Sequence, residues 1–162
     1  MIANTPDRMF RLSIKAIIAE DDHLLAIHLR DRRGDFYYLP GGGQEIGETV
    51  AEALQRECRE EIGCGVMHHE IMFARDYYGW NHEFSDIEGH IHQVEIMFRC
   101  SILPGERPTT TTVPDEMQVG FAWLPLDELA ETRFYPLGMR QDLLEAIRSD
   151  AALPARYLGA IN

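Results

Sequence analysis

The chain has 162 residues and a formal net charge of −12, with 15 Lys and Arg against 27 Asp and Glu. That length buries roughly 68–70% of the unfolded surface within one domain, and an apolar content of 45% excludes wholesale disorder. The acidity argues against an extended nucleic-acid or anionic-membrane face, which needs clustered Lys and Arg, but not against a phosphorylated ligand, because bound divalent cations reverse the local sign.

Residues 1–9 read as a polar leader interrupted by Pro6, and residues 10–162 as one domain. Leu12, Ile14, Ala16 and Ile18 alternate along 11–19 with the period of a strand. After a turn at Glu20, Asp21 and Asp22, residues 23–29 read as the returning strand. A charged turn over 30–35 leads to a short strand at 36–39, which runs into Pro40 and the glycines Gly41, Gly42 and Gly43. Successive glycines are expensive in chain entropy, so the backbone there needs unusual dihedrals or a close approach. Residues 49–62 form the clearest helix. Thr49 is its N-cap, Glu52 stands in a capping-box relation, and Gly63 is the stop signal. Val50, Ala53, Leu54 and Cys58 form its apolar stripe. Strands at 66–78 and 91–103 follow, divided by a polar loop rich in His and aromatic residues. A Thr-rich loop, a strand at 119–124 and helices at 126–131 and 137–148 complete the pattern. Strands, a helix, more strands and terminal helices predict an α/β fold, a mixed sheet with helices packed on it.

One segment carries the chemistry. From Gly42 it continues through Glu48 to Arg56, Glu57, Cys58, Arg59, Glu60, Glu61, Ile62, Gly63 and Cys64. Glu57, Glu60 and Glu61 stand at i, i+3 and i+4 on the helix, where like charges share a face and repel. A solvated acidic face is one reading of three glutamates; a flexible oxygen-ligand set for Mg²⁺ or Mn²⁺ is the other. The glycine loop ahead of them can bring backbone groups close to the same metal and to a phosphate chain. Arg56 is spaced to tie Glu48, and with it the loop, to the helix.

The segment resembles the Nudix box, G-x5-E-x7-R-E-U-x-E-E-x-G-U, where U is a bulky aliphatic residue. Gly42, Glu48, Arg56, Glu57, Glu60, Glu61 and Gly63 occupy its seven fixed positions. With residue types at roughly 6–7% each, a chance match over this length has odds of about one in a million. Cys58 and Cys64 stand at the two U positions, and buried cysteine behaves as a small hydrophobe. The segment around Trp123, Leu124 and Pro125 is also similar to the family.

The resemblance implies a Nudix fold, an α/β/α sandwich around a mixed β-sheet. It also implies Mg²⁺- or Mn²⁺-dependent hydrolysis of a diphosphate linked to another group, in an ADP-ribose-like compound or a nucleoside triphosphate. Carried over residue by residue, it makes Glu57 and Glu61 the leading metal ligands, with Glu60 next and a backbone carbonyl of Gly41 or Gly42 completing the set. Glu48 and Arg56 become the pair that fixes the loop. The general base varies within the family between a box glutamate and a glutamate on a later loop, a position that Glu116 resembles. ADP-ribose members often carry a proline downstream of the box, where this chain has Trp80, so the substrate stays open between these classes. The partner implied is a small nucleotide, with no nucleic-acid polymer and no membrane, and the resemblance suggests a homodimer. The alternative is a catalytically silent Nudix-fold module that binds nucleotides or regulates. Degenerate members generally lose a box glutamate, and none is lost here.

Several residues outside the box have two readings. Lys15 shares a strand face with Arg11, and the pair either meets a phosphate or is surface charge. Glu95 lies on the strand face opposite Val94, Ile96 and Phe98, pointing either into a substrate cleft or to solvent. Tyr77, Tyr78, Trp80 and Phe84 either stack on a base or fill core. His82, His90 and His92, with His68 and His69 on the preceding strand, are polar surface or a zinc site. Met67, Met72 and Met97 read as core. Three cysteines without a paired framework or zinc-ribbon spacing point to a reducing compartment. With no signal-like start and no apolar run near the roughly 20 residues that span a bilayer, a cytoplasmic location is the expectation.

Overall fold

The alternating residues at the start of the chain form β1 (Met9–Ile17), which in the computed structural model pairs in parallel with β6 (Ile91–Ile102), setting Ser13 opposite Glu95 and Ile14 opposite Ile96. The structure describes residues 8–110, 117–149 and 153–162. β5 (Val66–Tyr78) pairs antiparallel with β6, and β9 (Arg156–Ala160) adds in parallel to β5, so the first sheet runs β1-β6-β5-β9. The second sheet is built on β3 (His23–Asp31). On one flank of β3 stands β4 (Gly34–Tyr38), followed by β8 (Phe134–Tyr135). β2 (Ala19–Glu20) and β7 (Gln118–Pro125) also pair with β3.

Helix α1 (Val50–Ile62) buries Ala53, Leu54, Cys58 and Ile62. They pack with Ile14 and Ala16 of β1 and Leu25 and Ile27 of β3. A second core joins Leu143, Leu144 and Ala146 of α3 (Arg140–Arg148) to Ile17, Phe73 and Met97. Ile14 and Ile17 differ in strand parity, so the two helices cover opposite faces of the first sheet. The result is an α/β fold of mixed sheets layered with helices.

α1 begins and ends as its sequence requires. The Thr49 side chain accepts from the Glu52 amide at 3.2 Å, while the Glu52 carboxylate accepts from the Thr49 amide at 2.7 Å. Gly63 closes the helix in the left-handed region at φ 68°, which a side chain disfavours.

Elsewhere the expectations need correction. β1 starts at Met9, inside the stretch read as leader. Residues 126–131 are turns rather than a helix, and Leu126 and Leu129 are buried without one. The last helix is split into a 3-10 turn at Leu137–Met139 and α3. Met67 is 47% exposed, whereas Met72 and Met97 are buried. The loop between β5 and β6 contains a 3-10 turn, Gly79–Asn81, and a one-turn helix α2 (Ser85–Glu88).

Candidate active site

β4 delivers the chain into Pro40 and the glycine loop, which is held against β1. The Ile14 amide donates to the Gly42 carbonyl at 2.9 Å, and the Ala16 amide to the Pro40 carbonyl at 2.8 Å. Gly41 sits at φ 120°, and a Cβ there would lie 2.1 Å from the Ile14 carbonyl oxygen. Only glycine fits that approach. The same loop meets α1 from the other side. The Gly41 amide donates to Glu61 Oε2 at 2.6 Å, and a Cβ on Gly42 would stand 2.6 Å from the Glu57 carboxylate.

Arg56 binds loop and helix together. Its Nε and Nη2 donate to the two oxygens of Glu48 at 2.7 and 3.0 Å, and Nη2 also donates to the Gly43 carbonyl at 2.9 Å. Its Nη1 donates to Glu57 at 2.8 Å and lies 3.4 Å from Glu60. The Arg56 guanidinium, then the Glu45 amide, hold the Glu48 carboxyl at about 2, well below its ordinary range. One guanidinium thus offsets the repulsion in the box glutamates from the side away from the cleft.

Glu57 and Glu61 line a cleft of about 640 Å³ together with Gly41, Gly42 and Gly43. Glu60 lies outside its lining, with a side chain 59% exposed. Among the described residues no three or more His, Cys, Asp or Glu side chains are grouped to hold an ion. The donors at the box end of the cleft are the Glu57 and Glu61 carboxylates and the backbone oxygens of the glycine loop. That hard, incomplete oxygen set suits Mg²⁺, which keeps waters and takes substrate phosphates instead of an all-protein cage. It does not suit zinc, and His92 lies 3.2 Å from Asp76, paired with a single carboxylate. Glu116 lies outside the described residues.

The cleft floor is polar. Arg11, Ser13 and Lys15 of β1, Arg75 and Tyr77 of β5, and Gln93 and Glu95 of β6 all face it. Glu95 is only 5% exposed. It accepts from Arg75 Nε at 2.5 Å and from the Gln93 amide at 2.7 Å, and Gln93 in turn accepts from Arg11 at 2.6 Å. Burial pushes the Glu95 carboxyl up, but the charges of Arg75 and Lys15 and these hydrogen bonds outweigh it and hold it below its ordinary value. Of its two readings, the structure gives Glu95 the cleft. Lys15 donates to the Gly41 carbonyl and stands 5.0 Å over the Tyr38 ring.

The far end of the cleft is aromatic. Phe36, Phe84, Tyr135 and His82 face one another, with Phe36 to Phe84 at 5.3 Å and His82 to Tyr135 at 5.1 Å. Burial lowers the His82 pKa below its ordinary value, which favours the uncharged ring. Tyr78 and Trp80 are elsewhere. Tyr78 has the strand parity opposite to Tyr77, so it turns to the other face of the sheet, stacking on Trp80 at 4.9 Å and against His92 at 4.7 Å. Of the four aromatic candidates, Tyr77 and Phe84 line the cleft, and Tyr78 and Trp80 do not. Arg75 and Tyr135 carried no sequence signal. What marks Arg75 is its register opposite Glu95 on the neighbouring strand, which only the sheet pairing shows.

A helix sets paired glutamates directly against a glycine loop at one end of an open cleft, and comparison with known proteins identifies the class. A family model, the NUDIX domain, matches residues 9–142. The chain belongs to the Nudix family and is a hydrolase of that family. It is 31% identical over 132 residues to the nucleoside triphosphatase NudI of Salmonella agona, a match covering 74% of this chain and 85% of the relative. Its fold is similar to an ADP-ribose pyrophosphatase from Streptococcus suis, with a TM-score of 0.63, 22% identity, and 91% and 98% of the two chains covered. It is likewise similar to a MutT protein from Bacillus halodurans, with a TM-score of 0.63, 21% identity, and 92% and 89% covered. No helix among the described residues is long and apolar enough to cross a membrane.

Proposed function

We propose that the chain hydrolyses a diphosphate bond in a nucleotide, a nucleoside triphosphate or an ADP-ribose-like compound, with Mg²⁺ or Mn²⁺ as cofactor. The observation that carries this reading is the polarity of a single cleft: box carboxylates and the glycine loop at one end, a cluster of aromatic rings at the other. A nucleotide has the same two ends. The name of the Salmonella relative, a nucleoside triphosphatase, supports the same class of substrate.

Glu57, Glu61 and the Gly41 carbonyl would hold the metal, which would supply positive charge to a phosphoryl oxygen and Lewis acidity toward the attacking water. Glu60, outside the lining, is the outer member of the set. Lys15 and Arg11 balance charge on the phosphate oxygens, while Phe84 and Tyr135 receive the base. A water oxygen adds to one phosphorus, the bridging oxygen leaves with the other phosphate, and the water's proton passes to a glutamate of the site, Glu61 or Glu116. Little covalent work falls to the protein in such a reaction, so positioning and charge neutralisation carry the catalysis.

The test is phosphate or nucleotide release from a panel of nucleoside triphosphates and nucleoside diphosphate derivatives, with Mg²⁺, Mn²⁺ or chelator. Metal-dependent turnover of one class is expected. Glu61→Gln should lower it at least about a hundredfold, the scale of several kcal/mol of transition-state stabilisation, with the thermal midpoint retained. Near-normal turnover by that variant refutes the ligand assignment, and silence of the wild type across the panel favours a binding module.

A further inference from the structure

Resting on the reading of the cleft as a nucleotide site, we propose that Glu83 is a positioning residue. It latches the β5–β6 loop (79–90) to the second sheet and so holds the wall that receives the base. The loop has little structure of its own to fix it, since α2 is four residues long and one turn does not repay its own nucleation. Its placement has to come from tertiary contacts. His82 and Phe84 point into the cleft, and Glu83 between them pairs with two arginines from the second sheet. One is Arg33, in the β3–β4 turn, and the other is Arg133, at 3.4 Å, just ahead of β8.

Arg133 is itself fixed. Its Nη1 and Nη2 donate to the two oxygens of Asp31 at 2.9 and 2.7 Å. Its guanidinium lies 4.9 Å over the Phe36 ring and 5.7 Å from that of Tyr135. The two rings that Arg133 braces are therefore two of the three that Phe84 packs against, at 5.3 and 5.6 Å, the third being His82 of the loop itself at 5.1 Å. None of Glu83, Arg33, Arg133 or Asp31 lines the cleft. The charges stand behind the aromatic wall and act on the base only through it. The Glu83, Arg133 and Asp31 side chains are 23%, 22% and 16% exposed, which shelters that part of the network beyond an isolated surface pair, while Arg33 is 59% exposed and adds the screened contact.

This role separates the two ends of the cleft, and the experiment reads them separately in the full-length protein. Hydrogen exchange of Glu83→Gln should quicken in peptides covering 79–90 and stay unchanged in α1. The KM for the nucleotide should rise about three- to tenfold, the effect of losing one or two partly screened ion pairs, with kcat within about twofold. Inorganic tripolyphosphate has no base and competes only at the phosphate end, so its inhibition constant should not move. Arg33→Ala should raise KM the same way, and the double variant should add less than the product of the two. Unchanged exchange over 79–90 overturns the latch. A parallel rise in KM and in the tripolyphosphate constant overturns it too, since the effect would then not be confined to the base. A wild type inactive on every nucleotide would defeat the functional reading above, while the exchange data still decide whether Glu83 holds the loop.

Discussion

Alanine at Gly42 should remove activity while sparing the fold. Its Cβ would stand 2.6 Å from Cδ and from both oxygens of Glu57, where ordinary contact begins at 3.4 Å. The carboxylate must retreat by about 0.8 Å. Gly42 is not among the glycines at positive φ, so the backbone accepts alanine, and the group that yields is the far end of a flexible side chain, at the expense of its contact with Arg56. The stability change should stay within about 1 kcal/mol. A catalytic group displaced by nearly 1 Å costs on the order of a hundredfold in rate. Gly41→Ala is the opposite case. Its Cβ would meet the Ile14 carbonyl at 2.1 Å, and φ is 120°, so backbone must move and residue strain of about 1–3 kcal/mol is added. Thermal melts and metal-dependent turnover of the two variants, side by side, form the assay. Gly42→Ala with kcat/KM near wild type would refute the placement of Glu57, and so would a loss of stability equal to that of Gly41→Ala.

Two further outcomes follow from α1 and its tether. Thr49→Ala removes one half of the capping box and should cost about 1 kcal/mol, lowering Tm by about 2–4 °C without changing turnover; an unchanged Tm would refute the role of the cap. The Glu48 carboxyl, held at about 2 by Arg56 against an ordinary 4.5, contributes stability that is present at neutral pH and lost as pH falls from 4.5 toward 2. Denaturant midpoints at several pH values in that window should therefore fall more steeply for wild type than for Glu48→Gln, and parallel slopes would count against the pairing.

The parts of the fold that were legible are those whose signals are local. The bounds of α1 follow from Thr49, Glu52 and Gly63, and β5 from a long β-type run ended by Gly79. What stayed hidden depends on distant partners. β8 is two residues long and exists only because β4 lies beside it. Leu126 and Leu129 bury their side chains from a chain of turns, and their spacing mimics a helix. Of the candidate site, the box could be read because its residues share one helix and one loop. The cleft floor could not be fully read. Alternation placed Glu95 away from Val94 and Ile96, but both faces of β6 are covered, one by core and one by the cleft. Only the register with Arg75 shows which polar residues are paired inside. The misplacement of Tyr78 has the same root, because adjacent tyrosines on a strand face opposite ways and the sequence does not say which way is in.

The charges in the cleft bear on how substrate and metal enter it. Among its described lining residues Glu57, Glu61, Glu88 and Glu95 face Arg11, Lys15, Arg75 and His82. Arg75 is committed to Glu95 at 2.5 Å, and Arg11 leans on Gln93. Lys15 donates to the Gly41 carbonyl. Arg11 and Lys15 both bind neutral acceptors and keep their charges, which can match Glu57 and Glu61 but not exceed them, while burial lowers the His82 pKa. The cations of the site therefore do not outweigh Glu57 and Glu61, and the whole chain adds a net charge of −12 behind them. An anionic phosphate chain approaching the box carboxylates meets like charge unless a divalent ion stands between them. In the proposed reaction, metal and nucleotide accordingly each create the site for the other, and linkage requires that coupling to be reciprocal. The glycine loop serves this arrangement by its lack of side chains: it closes to within contact of Glu57 and Glu61 and leaves the remaining space to the metal, water and phosphate.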